Sequence, residues 1–231
     1  MIDFHTHILP SIDDGADTSE TSVTMLRTLQ EQGVDTVVLT PHYYSHHKPI
    51  EEFVVKRNAS LSILMNALRE DTPKLYVGAE VYFSDYLFNN RDLTPLCIQG
   101  TRTMLIELPY NKTITTAYVD KIDRLVTEYN VTPVLAHVER YPSLIRSTSM
   151  LERFLDVGCI LQTNVSSYTE FGKRRLISLV NKGYIGAFGT DAHNLDSRPP
   201  QYAEAYSRLK KSVSEDVLHR IQRNMKDLLK I

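Results

Sequence analysis

Apolar residues along the chain gather into seven short runs, at positions 2–7, 36–42, 74–82, 103–108, 132–137, 159–165 and 184–191. Val, Ile, Leu and Tyr dominate most of them, the pattern of strands covered on both faces. Between most runs the spacing becomes helical. Asp17 and Glu20 have the spacing of a capping box, opening a helix that turns Val23, Met25, Leu26 and Leu29 to the core. Val54, Leu61, Leu64, Met65 and Leu68 mark a second helix. Tyr118, Ile122, Leu125, Val126 and Tyr129 form a third apolar stripe, and Val217, Leu218, Ile221, Met225 and Leu228 a fourth. Gly33 and Gly183 follow helical runs, as helix-ending glycines do. Seven strand-then-helix units predict an α/β chain: a (β/α) barrel of about seven strands, closed or distorted, with an open doubly wound sheet as the alternative. In either architecture, function gathers at the carboxyl ends of the strands.

No linker, low-complexity tract or fixed-period repeat interrupts the 231 residues, so one domain over 1–231 is expected. Hydrophobic residues at 42% and charged residues at 23% are an ordinary globular balance. A net charge of −2 calls for neither nucleic acid nor an anionic membrane. Cys97 and Cys159 are too few for a disulfide scaffold and fit a reducing cytosol. The opening Met1-Ile2-Asp3-Phe4-His5 lacks the basic and apolar regions of a secretion signal. No apolar run approaches the ~20 residues of a membrane span. A cytoplasmic protein without direct membrane insertion is expected.

The ionisable residues fall where the barrel reading puts function. His5 and His7 end the first run, at a spacing that sets both imidazoles on one face of a strand. Asp14 follows in the loop Pro10-Ser11-Ile12-Asp13-Asp14-Gly15. His42, Glu80, Glu107 and His137 end the next four runs, and Asp191 and His193 follow the last. Five of the eight histidines are in this set. Any one of these residues alone reads as an ordinary structural group: a hydrogen-bonded His, a turn-closing Asp, a Glu paired with an Arg. Together, without metals, they would cost several kcal/mol for each unpaired buried charge. Mixed N and O ligands suit Mn²⁺, Fe or Zn²⁺ better than Ca²⁺, and the lack of thiolate argues against a structural zinc site.

These segments resemble the PHP (polymerase and histidinol phosphatase) superfamily. Met1-Ile2-Asp3-Phe4-His5-Thr6-His7-Ile8-Leu9-Pro10 with Ile12-Asp13-Asp14-Gly15 is similar to the bacterial capsule and exopolysaccharide protein-tyrosine phosphatases of the CpsB/CapC/YwqE type. The likeness continues through Leu39-Thr40-Pro41-His42, Gly78-Ala79-Glu80-Val81-Tyr82, Ile106-Glu107-Leu108-Pro109, Ala136-His137-Val138-Glu139-Arg140-Tyr141 and Thr190-Asp191-Ala192-His193-Asn194, in order, over essentially the whole chain. The resemblance implies a distorted (β/α)7 TIM-like barrel, the PHP fold. It implies two or three divalent ions, Mn²⁺ foremost, with Fe, Zn, Mg or Co as the others to consider. His5, His7, Glu80 and Asp191 would hold the first ion. Glu80 would bridge to a second, held also by Glu107 and His137. Asp14, His42 and His193 would hold a third. Thr6 stands where the family often has Cys, and Ser11 where it often has Gly.

Three divalent ions, four carboxylates and neutral histidines leave a site of about +2, a receptor for a phosphate dianion. A water shared by two metals is then expected to ionise near neutral pH and attack in line. Arg140, three residues after His137, and Arg198, five after His193, are candidates to hold the remaining phosphate oxygens. The resemblance assigns both this role. Neither cysteine opens a Cys-x5-Arg loop, so no phosphocysteine is expected.

The resemblance implies hydrolysis of phosphotyrosine on the tail of a bacterial tyrosine kinase that controls polysaccharide export, which would bring the protein to the inner face of the membrane. A histidinol-phosphate-type phosphatase and a catalytically idle phosphotyrosine-binding barrel are the alternatives. A nuclease would want a basic, aromatic-rich groove, which 26 basic against 28 acidic residues do not advertise. Residues 43–49, Tyr-Tyr-Ser-His-His-Lys-Pro, form either a pocket rim or an exposed loop, and His46 and His47 are not expected to be ligands. His219 is expected on the surface.

Overall fold

The computed structural model describes residues 1–69, 72–110, 112–169 and 174–231. The strands are β1 (Ile2–Thr6), β2 (Thr36–Leu39), β3 (His42–Tyr44), β4 (Lys74–Val77), β5 (Glu80–Tyr82), β6 (Thr103–Glu107), β7 (Thr132–Leu135), β8 (Ile160–Asn164) and β9 (Ile185–Gly189). All their pairings are parallel, in one sheet of order β1-β2-β4 and another of order β3-β5-β6-β7-β8-β9.

Two of the seven expected strands are each broken in two. The run 36–42 divides at Thr40-Pro41, where Pro41 has no N–H to give the ladder. The run 74–82 divides alongside it, at Gly78-Ala79. Hydrogen bonds still cross the breaks, from Gly78 N–H to Leu39 O (2.9 Å) and from Glu80 N–H to Pro41 O (3.0 Å). Others join the ends of β9 and β1: Asp191 N–H donates to His5 O (2.8 Å) and His7 N–H to Ala192 O (2.9 Å).

The helices are α1 (Ser19–Glu31), α2 (Ile50–Ala67), α3 (Thr116–Thr127), α4 (Pro142–Arg146), α5 (Thr148–Asp156), α6 (Arg174–Asn181), α7 (Ala203–Lys210) and α8 (Glu215–Leu229). The expected capping box is corrected. Thr18 caps α1, its hydroxyl accepting from Thr21 N–H at 3.1 Å, while Asp17 accepts from the Thr21 hydroxyl. The stripe expected on α2 is also displaced. Ile50, Phe53, Arg57, Ser60 and Leu64 are its buried residues, and Met65 is exposed. Two polar residues on the buried face account for this rotation. Arg57 reaches Gly78 O and Pro95 O, and Ser60 donates to Pro10 O at 2.6 Å. The expected faces of α3 and α8 hold at Ile122 and Leu125 and at Leu218, Ile221, Met225 and Leu228. His219 is exposed.

Every residue of β1, β2 and β6 is buried, as strands sandwiched on both faces are. The apolar core runs through all nine strands and the inner faces of the helices.

Candidate metal centre

Each candidate ligand is held by its own local structure. His5 lies in β1, and His7 just beyond, where the chain turns into the Asp13–Asp14 loop. His42 and Glu80 open β3 and β5 directly after the two breaks, and Glu107 closes β6. His137 follows β7 with φ 33°, and Asp191 follows β9 with φ 57°. Ser11, at the start of the loop that carries Asp13 and Asp14, has φ 56°. Three of the five non-glycine residues with positive φ among the described residues thus surround the site, and such backbone is strained. Thr6 points away, donating its hydroxyl to Val38 O at 2.9 Å.

The side chains converge. His5 Nε2 and His7 Nε2 lie 3.1 Å apart. Glu80 Oε2 is 3.3 and 3.2 Å from them, and Asp191 Oδ1 3.5 and 3.4 Å. His137 Nε2 stands 2.8 Å from Glu80 Oε1 and 3.6 Å from Glu107 Oε1. His42 Nε2 and His193 Nε2 both lie 3.5 Å from Asp14 Oδ1, and His42 Nδ1 is 3.0 Å from Glu80 Oε2. All nine candidates therefore share one cluster. Its members also form overlapping sets, His5/His7/Glu80, His7/Asp14/His42/His193 and His42/Glu80/Glu107, each with donor atoms within 4.8 Å of one another.

This cluster fits divalent ions. Donors about 2.0–2.2 Å from a common ion stand roughly 3.0–3.6 Å apart. The spacings 3.1–3.5 Å of the His5/His7/Glu80/Asp191 set fall in that range. Glu80 Oε2 and His193 Nε2, both aimed into the cluster, are also buried without a hydrogen bond of good geometry, a costly state unless something else engages such atoms. His193 Nδ1 faces Asp191 O at 2.9 Å, which leaves Nε2 as the free donor atom.

Charge is pooled accordingly. Burial opposes the ionised Glu80 and Asp191, yet the surrounding histidines hold both carboxyls well below their usual range. Burial also opposes a charged His7, but Asp13, Asp191 and Glu80 push its pKa well above that of a free imidazole. Burial and the neighbouring His7 lower His193 to about 3. A proton on His7 in the metal-free protein must leave before a cation can take its place. Metal affinity is therefore expected to rise with pH until it passes the raised His7 pKa. Calorimetry in buffers of different ionisation enthalpy should show net proton release near neutral pH; heats independent of the buffer would contradict this.

Arg140 and Arg198 reach the cluster together, at Asp191 Oδ2. Their Nη2 atoms lie 2.6 and 2.7 Å from it. A 3₁₀ turn at Val138–Arg140 brings Arg140 round to the His137 side, and Asn194 Oδ1 accepts three backbone N–H groups to set the Arg198 loop. The segment His137–Tyr141 has a use for each polar residue. Glu139 accepts from Asn164 N–H and the Ser167 hydroxyl. The Tyr141 hydroxyl bonds both backbone groups of Leu108, at 2.9 Å each, beside Glu107.

Sequence reasoning missed several groups that touch the ligands. Asp13, passed over for its neighbour Asp14, faces His7 Nδ1 at 2.8 Å, which orients that ring, and accepts from the His42 backbone N–H at 2.9 Å, which ties the loop to the start of β3. On β8, Gln162 accepts from His137 N–H (2.6 Å) and donates to Asn164 (3.1 Å), and Asn164 donates to Asp191 (3.0 Å). These two buried amides link the positive-φ residues His137 and Asp191. Their signal was available: β8 reads Ile-Leu-Gln-Thr-Asn, which sets the two amides at i, i+2 on one face of a buried strand. Asp3, raised by burial to about 6, accepts from Thr190 N–H (2.8 Å) and the Thr190 hydroxyl (2.6 Å), tying β1 to the Asp191 turn.

A cavity of about 260 Å³ opens over the cluster, with Arg140 and Arg198 on one side and Tyr44, Tyr82 and Tyr110 forming its aromatic walls. Tyr110 stacks on His137, its hydroxyl 3.3 Å from Arg140 Nη1. His46 and His47 are exposed and stand outside this cavity.

A family model described as "Capsular polysaccharide synthesis, CpsB/CapC" matches residues 1–230. The tyrosine-protein phosphatase CpsB of Streptococcus pneumoniae is 30% identical, over 91% of this chain and 90% of its own. The tyrosine-protein phosphatase YwqE of Bacillus subtilis is 30% identical, over 100% of this chain and 92% of its own. A crystal structure from work on YwqE and Streptococcus pneumoniae CpsB, described as metal-dependent tyrosine phosphatases, superposes with a TM-score of 0.81 at 26% identity, covering 100% of this chain and 94% of that one. The phosphotriesterase homology protein of Escherichia coli, at 10% identity and a TM-score of 0.51, shares the fold alone.

Proposed function

The chain belongs to the CpsB/CapC family of capsular polysaccharide synthesis proteins, and from that premise we propose that it is a metal-dependent protein-tyrosine phosphatase. The supporting observation is one cluster of five histidines and four carboxylates beneath a cavity with arginines on one side and tyrosines on the others. The proposed ligand sets are His5, His7, Glu80 and Asp191; Glu80, Glu107 and His137; and Asp14, His42 and His193, with Mn²⁺ as the proposed ion. The strand contacts support a distorted seven-stranded barrel, in which β2/β3 and β4/β5 each count as one strand and β9 meets β1. Residues 1–231 then form one metallophosphatase domain.

When bound, the ions supply Lewis acidity toward phosphoryl oxygens and water. The chain's own groups do the rest. Arg140 and Arg198 offer forked N–H donors that can pass from Asp191 Oδ2 to phosphoryl oxygens. Tyr44, Tyr82 and Tyr110 offer faces to the phenyl ring of the leaving group. Asp13 holds the His7 ring, and the Gln162–Asn164 pair holds the His137 backbone and the Asp191 carboxylate in place. The proposed substrate is the phosphorylated tail of a bacterial tyrosine kinase, which would bring the protein to the inner membrane face; no described helix is long and apolar enough to cross a membrane.

Cys97 and Cys159 take no part. Both are buried, and burial pushes their thiols up to about 11 and about 12. The test is turnover of a phosphotyrosyl peptide, a phosphoseryl peptide, histidinol phosphate and single-stranded DNA, with Mn²⁺, after chelation and after iodoacetamide. The phosphotyrosyl peptide should lead, lose its turnover on chelation and keep it on alkylation. Arg140→Ala should lower its kcat/KM by about 100-fold. A preference for histidinol phosphate, or turnover that survives chelation, would overturn the reading.

A further inference from the structure

A second cavity, of about 310 Å³, adjoins the first and shares His42 and Tyr44 with it. Its volume is at the small end of ligand pockets, about 300–1,000 Å³. Ile12, Tyr43 and Phe53 give it an apolar lining, and His47, Lys48 and Lys56 supply polar edges. We propose that this cavity is a peptide subsite that takes an acidic residue close to the phosphotyrosine, an inference that rests on the phosphatase reading above.

The loop that builds it is set by its own contacts. The Tyr43 hydroxyl donates to Lys48 O at 3.0 Å, and His47 N–H donates to Tyr44 O at 2.9 Å. Tyr43 also packs on Phe53, with ring centroids 4.9 Å apart. These contacts fix Lys48 beside the first turns of α2, which present Phe53 and Lys56. Tyr43, His47 and Lys48 therefore line the second cavity, and His42 and Tyr44 stand between the two.

The charge in this cavity is unevenly committed. Asp13 is taken up by His7, His42 N–H and Gly15 N–H, and Asp14 lies with His42 and His193. Glu52 lies 3.4 Å from Lys48 in an exposed pair, which a ligand carboxylate can replace at little cost. Lys56 donates to Ile12 O at 2.7 Å and has no carboxylate partner among the described residues. Two ammonium groups over an apolar floor suit a side chain with a methylene body and a carboxylate end. An extended peptide advances about 3.3 Å per residue, so a residue a few places from the phosphotyrosine can enter the adjoining cavity.

The experiment compares phosphotyrosyl peptides that differ only in Glu or Lys at one to three places on either side, with free phosphotyrosine as the reference for each protein. The native chain should favour the Glu peptide by about fivefold or more in kcat/KM, through KM. The double substitution Lys48→Glu with Lys56→Glu should invert that preference, a gain toward Lys peptides that misfolding cannot produce. A native Glu-to-Lys ratio near one, or a ratio that the double substitution leaves unchanged, would overturn the subsite while turnover of free phosphotyrosine keeps the phosphatase reading. Absence of turnover on every phosphotyrosyl compound would overturn both.

Discussion

Glu80→Gln is expected to lower phosphotyrosyl-peptide turnover by about 1,000-fold or more, equivalent to about 4 kcal/mol of transition-state stabilisation. The two Glu80 oxygens lie within 3.3 Å of nitrogens from His5, His7, His42 and His137, which come from three separate strands or strand ends. Glutamine has nearly the same volume, so packing is kept. It exchanges one acceptor oxygen for an NH₂ and removes the charge shared by two of the three proposed ligand sets. Bound metal should fall with activity, and the unfolding temperature of the chelated protein should change much less. Metal analysis, kinetics and thermal unfolding on one preparation separate these effects. Native metal content with turnover within tenfold of native would remove Glu80 from the centre of the mechanism.

Gly15→Ala should be nearly as damaging, for a steric reason. A Cβ at Gly15 would sit 2.1 Å from His7 O and 2.6 Å from His7 Cβ, atoms that cannot yield without moving a ligand. The same short loop is closed by Ser11 N–H to Ala16 O (2.8 Å) and Ala16 N–H to His7 O (3.0 Å), and it carries both Asp13 and Asp14. Relief of the clash displaces the carboxylate that orients His7. Overpacking of this kind costs about 3 kcal/mol, or roughly 10 °C of unfolding temperature in a chain of this size. Turnover should fall by about 100-fold, because the proposed Asp14/His42/His193 set opens. Gly100→Ala is the control: Gly100 has φ 80° but open space around its Cβ position, so that substitution strains backbone alone. Native stability and metal content in Gly15→Ala would show that the loop can move without disturbing the ligands.

Much of the site was legible before folding because its signals are local. A His, Glu or Asp at the end of an apolar run is visible in a few residues, and His5 and His7 share a face through strand geometry alone. Apolar spacing likewise located α1, α3 and α8. Other features have no local signal. Asp13 and Asp14 are adjacent and chemically alike; only the path of the loop turns one to His7 and the other toward His42 and His193. On α2, the polar anchors Arg57 and Ser60 bond to groups distant in sequence and override the apolar spacing.

The sequence by itself determined which imidazoles and carboxylates stand at the ends of apolar runs, and the alternation of strands and helices, since residue type and short-range spacing suffice for these. Tertiary structure alone decided that nine candidate ligands from across the chain meet, that both arginines rest on Asp191, and that two cavities adjoin at His42 and Tyr44. Those outcomes depend on contacts such as Asp3 with Thr190, 187 positions apart, whose register is set by the packing of the whole sheet.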